Sequence, residues 1–220
     1  MTTHPNRNTA PSRRWLARPL GVLGFLGASA IAATQASAAV ILVRSPSPLP
    51  PPLQDGLTWQ TAYEDLQVAL AQAVAGDEIW VADGVYSPTS GNDRTISFVL
   101  KQGVKLRGGF TANPAVPGER SPLNGGCRLT GHIGGVGVAD NSFHVVRGTS
   151  LTNATVLEGF MIDNGNANGA GNDGFGGACL LINSTPSIAN CYFDANNANK
   201  GGALARLGGI SASSTMIIAG

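Results

Sequence analysis

Charge is scarce in this chain of 220 residues: Asp, Glu, Lys and Arg together make up 12% of it. Beyond Pro19 there is no basic run. The field that holds nucleic acid is therefore missing, and that partner class drops out. Cysteine is equally sparse. Cys127, Cys179 and Cys191 form no CxxC and no Cys/His spacing, which excludes a zinc site of that kind. One disulfide and three buried thiols both remain open, and small buried apolar thiols are the better reading. Glycine clusters such as "GGVGVADN" lack a following Lys-Ser/Thr or a strand-helix context, so nothing points to a phosphate cradle. No apolar run reaches the ~20 residues of a membrane-spanning helix.

What is present begins with a leader. Arg7, Arg13, Arg14 and Arg18 occupy an acid-free start, an apolar run covers Leu20 to Ala33, and Ala36-Ser37-Ala38 follows. That order reads as a secretory signal peptide over 1–38, cut after Ala38. The pair Arg13-Arg14 in "SRRWLAR" fits twin-arginine export, and an ordinary Sec leader fits as well. The expected location is therefore exported, extracellular or at the cell surface. Without the leader the chain keeps ten basic and thirteen acidic residues, a net charge of −3, and no transmembrane segment is expected in it.

Residues 39–54 read as a short strand, Val40 to Val43, and a proline-rich linker, because five prolines between 45 and 52 suit neither helix nor sheet. One helix is expected, over about 61–75. Thr61 and Glu64 have the spacing of a capping box, and Tyr63, Leu66, Leu70 and Val74 form an apolar stripe with Ala69 and Ala73. Gln67 and Gln72 fall on its opposite face, and Gly76 would stop it.

From Asp77 onward short β-type runs alternate with Gly, Asn and Asp. An aliphatic-x-Gly/Asn phrase recurs as Leu106 to Gly108, Leu129 to Gly131, Leu157 to Gly159 and Ile188 to Asn190. Gly and Asn tolerate a left-handed backbone. Gly108, Gly131, Gly159 and Asn190 are accordingly expected to be corners between short strands, returning the apolar residues on both sides to one interior. Corners at such similar intervals, without intervening helices, indicate an all-β solenoid over 55–220, each coil stacked on the next. Asn183, Asn190, Asn196, Asn197 and Asn199 suit asparagine ladders between coils. The helix is placed to cover the open apolar end of the first coil.

These phrases also carry a resemblance. "DGLTWQTAYEDLQVALAQAVAGDEIWVADGVYSP", "RTISFVLKQGVKLRGGF", "VLEGFMIDNGNAN" and "IANCYFDANNANKGGAL" resemble the start of bacterial right-handed parallel β-helix proteins. These are pectin-lyase-like repeat proteins of the kind labelled polymorphic outer membrane protein-like. The likeness covers about Asp55 to Leu204, and it implies a secreted or surface β-helix. After Gly202 the pattern departs into "ARLGGISASSTMIIAG", so the C-terminal coil is expected to be incomplete.

Chemistry is thinly supported. The acids Asp140, Glu158, Asp163, Asp173 and Asp194 stand singly. Asp163 and Asp194 follow equivalent strands and could stack on adjacent coils, and with Lys200 they make the best catalytic candidate, against a simple turn role. His144 in "FHVV" is expected to point outward, and His132 has no partner in the sequence. "NGNANGAGNDGFGG" faintly resembles Ca²⁺-binding repeats without the regular aspartate spacing they need, so no cofactor is expected and Ca²⁺ stays an outside option. The expected function is a non-catalytic exported scaffold, touching a surface polysaccharide or protein through its faces and the loops at about 111–127 and 163–176. The alternative is a β-helix carbohydrate-active enzyme, a lyase or glycoside hydrolase, or a fragment of one.

Overall fold

The computed structural model describes residues 38–208, apart from 123 and 136, together with the backbone of 217–219. The leader expected over 1–38 lies outside these residues except for its last position.

Strands β1 (Val40–Val43), β2 (Glu78–Ala82) and β3 (Gly84–Tyr86) are followed by β4 (Phe98–Val99), β5 (Lys105–Phe110), β6 (Cys127–Thr130) and β7 (Val146–Thr149). Then come β8 (Val156–Glu158), β9 (Met161–Asp163), β10 (Asn166–Ala167) and β11 (Cys179–Ile182). The series closes with β12 (Ser187–Ala189), β13 (Tyr192–Asp194), β14 (Asn197–Ala198), β15 (Leu204–Leu207) and β16 (Ile217–Ala219). The protein is thus mostly β, and every pair of these strands is parallel. Sheet I has the order β1-β2-β5-β8-β12-β16, sheet II β13-β9-β6-β3, and sheet III β15-β11-β7-β4; β10 and β14 form a two-stranded ladder. In chain order each pass therefore visits sheets I, II and III in turn, and pairs with the pass before it.

The register explains the apolar phrases. Ile79, Leu106, Leu157 and Ile188 stand side by side in sheet I, all at most 1% exposed. Tyr86, Leu129, Ile162 and Phe193 stand side by side in sheet II, the first three buried and Phe193 half-buried. These columns, joined by Phe98, Val146 and Cys179 of sheet III, form one core. A satellite cluster packs outside sheet I, where Trp80 and Phe110 stack at 4.7 Å and Trp59 leans on Phe110. The Trp59 indole donates to the Pro117 carbonyl, which ties the 111–126 loop down over that cluster.

Two of the four expected corners have left-handed backbone: Gly159 at φ +81° and Asn190 at φ +51° turn sheet I into sheet II. Gly108 and Gly131 do not. After β5 the left-handed residue is Gly109, at φ +87°. Gly108 is required for a different reason, since a Cβ there would stand 2.6 Å from the Gly159 carbonyl oxygen. Gly131 follows a strand of sheet II, so Leu129 aligns with Ile162 and not with Leu157. The aliphatic-x-Gly phrase marks the end of a strand without saying in which sheet, so taken alone it gives one corner too many. The passes are also unequal: the one from Lys105 to Val156 is much longer than the one from Val156 to Ser187.

The helix is shorter than expected. It runs Leu66–Gln72 as α1, with Asp65 as N-cap accepting from the Gln67 amide at 2.8 Å. The Thr61 to Glu64 capping box does not form. Tyr63 instead pairs with β1, its N–H donating to the Leu42 carbonyl and its own carbonyl accepting from Arg44, while the Thr61 hydroxyl bonds Thr58. Ala73 ends the helix before Gly76, and Val74 lies beyond it, exposed. Leu66, Ala69 and Leu70 are buried, and the helix packs against β1, β2 and β4. Gln67 is not on a free face; its amide donates to the carbonyls of Pro88 and Ser97.

Asparagines bind one pass to the next. The Asn197 amide donates to Asn166 Oδ1 at 3.0 Å, Asn196 to the Ile162 carbonyl and Asn199 to the Gly169 carbonyl. The repeated Gly-Gly-Ala at 176–178 and 201–203 is the entry into sheet III, where the Ala178 N–H donates to the Ala203 carbonyl at 3.0 Å. A side chain at Gly177 would strike the carbonyls of Asn197 and Gly202. The stretch after Gly202 supplies β15, paired with β11, and β16, paired with β12.

Candidate functional site

Sheets I and II present outward columns of opposite character. On sheet I, Trp80, Arg107, Glu158 and Ala189 stand in register, next to Glu78, Lys105, Val156 and Ser187. Glu78 meets Lys105 at 2.9 Å and Arg107 at 3.4 Å; Arg107 reaches Glu158 at 2.7 Å; Arg120, from the loop, reaches the same carboxylate at 3.0 Å. Asn190 adds a bond to Glu158 from the next pass. Burial works against ionisation of Glu78, but the Trp80 indole, Lys105 and Arg107 outweigh it and hold its carboxyl below the ordinary range. Acids and cations here alternate across successive strands and satisfy one another.

Sheet II is different. Its outward column reads Val85, Arg128, Met161 and Tyr192. Val85 and Tyr192 are more than half exposed. Beside this column Thr130, Asp163 and Asp194 are in register, so two of the three catalytic candidates stand on adjacent strands of one sheet. Their surroundings differ. Asp163 is 1% exposed, ion-paired to Arg128 and bonded to the Asn164 amide at 2.9 Å. Asp194 is exposed, and its carboxylate makes no hydrogen bond among the described residues. Lys200 is not brought to them. It pairs along the backbone with Phe175, and its ammonium lies 5.4 Å from that ring.

Two cavities open on this sheet. One of about 390 Å³ is lined by Asn124, Gly125, Met161, Tyr192, Phe193 and Asp194. The other, about 500 Å³, lies at the β3 end and takes in Val85, Ser87 and His132 together with Glu64 and Asp65 from the helix start. The Ser87 hydroxyl donates to the carbonyl of His132, which also lines this cavity.

His144, expected outward, is buried at 1% exposure. Its Nδ1 lies 3.0 Å from the Gly176 carbonyl and its Nε2 3.6 Å from Asp173 Oδ1. Burial drives the imidazole below its ordinary value, against the Gly176 carbonyl and Asp173, and Arg147 adds to the depression. The three cysteines are free. Burial pushes the Cys179 thiol up to about 12 and Cys191 up to about 11, and Cys127 moves the same way. Such thiols stay protonated at neutral pH and are poor nucleophiles. Among the described residues no group of three His, Cys, Asp or Glu side chains converges as metal ligands would, the 164–177 stretch included. No helix of the described residues is long and apolar enough to cross a membrane.

Sequence reasoning pairs Asp163 with Asp194 from their equal places after a strand. It misses Arg128, whose nearness to Asp163 depends on how the chain returns from one pass to the next, and Tyr192, which reads locally as one more apolar strand residue. With this geometry in hand, the chain belongs to the family described as Protein of unknown function (DUF1565), which it matches over residues 55–220. No curated protein and no solved structure matches it.

Proposed function

We propose that this chain is an exported right-handed parallel β-helix that acts by contact and not by catalysis, at the cell surface or outside the cell. The β-helix reading is supported by the parallel registers, by the constant order in which passes visit the three sheets, and by the family match across those passes. Helix α1 acts as its N-terminal cap: it buries Leu66, Ala69 and Leu70 beside the first strands of the stack. Export rests on the Arg-bearing start, the apolar run and Ala36-Ser37-Ala38.

One observation carries the non-catalytic reading. Of the four acids on the strands of sheets I and II, Glu78, Glu158 and Asp163 are each matched by a cation, and Asp194 has none among the described residues. A general acid or base has to exchange a proton with a reacting atom, and the three matched carboxylates tie strands together instead. The enzyme alternative draws on Asp194 alone, which stands exposed beside Asp163. Incubation with a panel of neutral and uronic polysaccharides decides between them. No new reducing ends and no unsaturated product should form; release of either that Asp194→Asn abolishes makes the protein a carbohydrate-active enzyme. The exported form should have the mass of a chain beginning at Ala39.

A further inference from the structure

The contact surface of such a module can be narrowed to one face. We infer that the outward side of sheet II binds a neutral oligosaccharide, laid across its four strands with one sugar ring stacked on Tyr192. This inference rests on the contact reading above and gives it a ligand class.

The face has the parts that sugar recognition uses. Tyr192 is 59% exposed although it sits on a paired strand, and it borders a cavity whose other walls include Met161 and Asp194. An aromatic ring offers its flat face to the C–H side of a pyranose at little conformational cost. A carboxylate accepts from two neighbouring hydroxyls, and Asp194 holds no partner among the described residues. Arg128 is ion-paired through Nε to the buried Asp163, and its side chain is 38% exposed on this face. The second cavity continues the same side at β3, with Ser87, His132, Glu64 and Asp65 around it. Across β3, β6, β9 and β13 the face measures about 14 Å, from three strand spacings of ~4.8 Å, enough for a short oligosaccharide.

Charge selects the kind of sugar. The Arg128 charge is already matched by Asp163, while Asp194, Glu64 and Asp65 remain exposed carboxylates. A polyuronate or a sulfated chain would meet net negative charge, and a neutral chain would not. A protein partner is a poorer fit, because a stable interface needs on the order of 1,000 Å² with an apolar centre, and this face alternates polar and apolar groups.

The test titrates the protein with hexaoses of β-1,4-glucose, β-1,3-glucose, α-1,4-glucose and β-1,4-mannose, with hexagalacturonate as the acidic counterpart, by calorimetry. At least one neutral hexaose should bind and hexagalacturonate should not. Tyr192→Ala should weaken binding about tenfold, and Tyr192→Phe should keep it. Asp194→Asn, which preserves shape, should weaken it by a similar factor. Val99→Ala, an exposed change on sheet III, should have no effect. Tyr192 and Asp194 are exposed, so unchanged melting of each variant separates lost binding from lost fold. The inference is overturned if no neutral hexaose binds, if the acidic chain binds better, or if Tyr192→Ala leaves affinity unchanged; none of these touches the non-catalytic reading. Cleavage of a bound hexaose would do the reverse, sinking the non-catalytic reading and leaving the face in place.

Discussion

The third and fourth passes of this chain are close copies, whereas the first two are interrupted. From Val156 onward, equivalent positions of successive passes stand in register in sheets I and II and in the β10–β14 ladder, with a constant offset along the chain. The same side-chain types recur at the ties, as when Asn197 bonds Asn166. The second pass takes a longer route back to sheet I, because it carries loops after β5 and β6. Those loops are used. The first packs Trp59, Trp80 and Phe110 beneath it and delivers Arg120 to Glu158. The regular half is held by its repetition, and the interrupted half by particular long-range contacts.

The largest expected effect breaks the interrupted half. Leu66 and Leu70 are buried at 1% and 4% exposure. Truncating such a residue alone costs ~2–5 kcal/mol, and Asp adds an uncompensated charge. Leu66→Asp with Leu70→Asp should unfold the N-terminal end and expose strand edges, so that oligomers appear on size exclusion. Gln72→Asp, on the exposed side, should melt like the parent. Phe193→Asp, in the last regular pass, should cost less than the Leu pair because Phe193 is only half-buried. Equal losses at the two ends would mean that the helix protects nothing.

Next in size is the join between the halves. Gly159 has φ +81°, and a Cβ there would stand 2.7 Å from an Arg120 nitrogen and 2.8 Å from the Gly108 carbonyl. Gly159→Val combines steric conflict with a left-handed penalty of roughly 1–2 kcal/mol. Asn190→Gly keeps the backbone and loses one 3.3 Å bond, a cost below about 1 kcal/mol. Denaturant midpoints should separate the two clearly. Glu158→Gln comes third: it removes the acid shared by Arg107 and Arg120 and should cost about 1–1.5 kcal/mol, less at high salt. No salt dependence of that difference would show that the ladder on sheet I adds little.

Legibility follows the same division. The corners at Gly159 and Asn190 can be read because each interrupts an apolar alternation that resumes directly afterwards. Gly131 misleads because an identical phrase closes a strand of another sheet, and phase between passes is not a local property. The helix start misleads because Thr61 has the right chemistry for an N-cap and Tyr63 the right place on the apolar stripe, but they are taken up by Thr58 and by Val43 of β1, the latter from the far side of the proline-rich linker. The candidate site is half legible: equal positions give Asp163 and Asp194. Their environments, one under Arg128 and one open to solvent, come from register.

The smallest expected effect concerns the place where the halves touch through His144. The imidazole sits between the Gly176 carbonyl and Asp173, with Arg147 the cation that acts on it. Burial depresses its proton affinity below the ordinary value of 6.5. The unfolded chain therefore takes up this proton first as pH falls. Stability is complete above about pH 6.5 and declines as pH drops through that value toward the folded one. Glu78 acts in the same sense but only around its own ordinary value of 4.5, so it does not disturb a comparison between pH 7.5 and 5.5. The parent should melt lower at pH 5.5 than at pH 7.5. His144→Asn, which cannot titrate, should be weaker at pH 7.5 but show a smaller drop between the two. If parent and variant lose the same amount, the imidazole is not what couples the second pass to the regular passes below it.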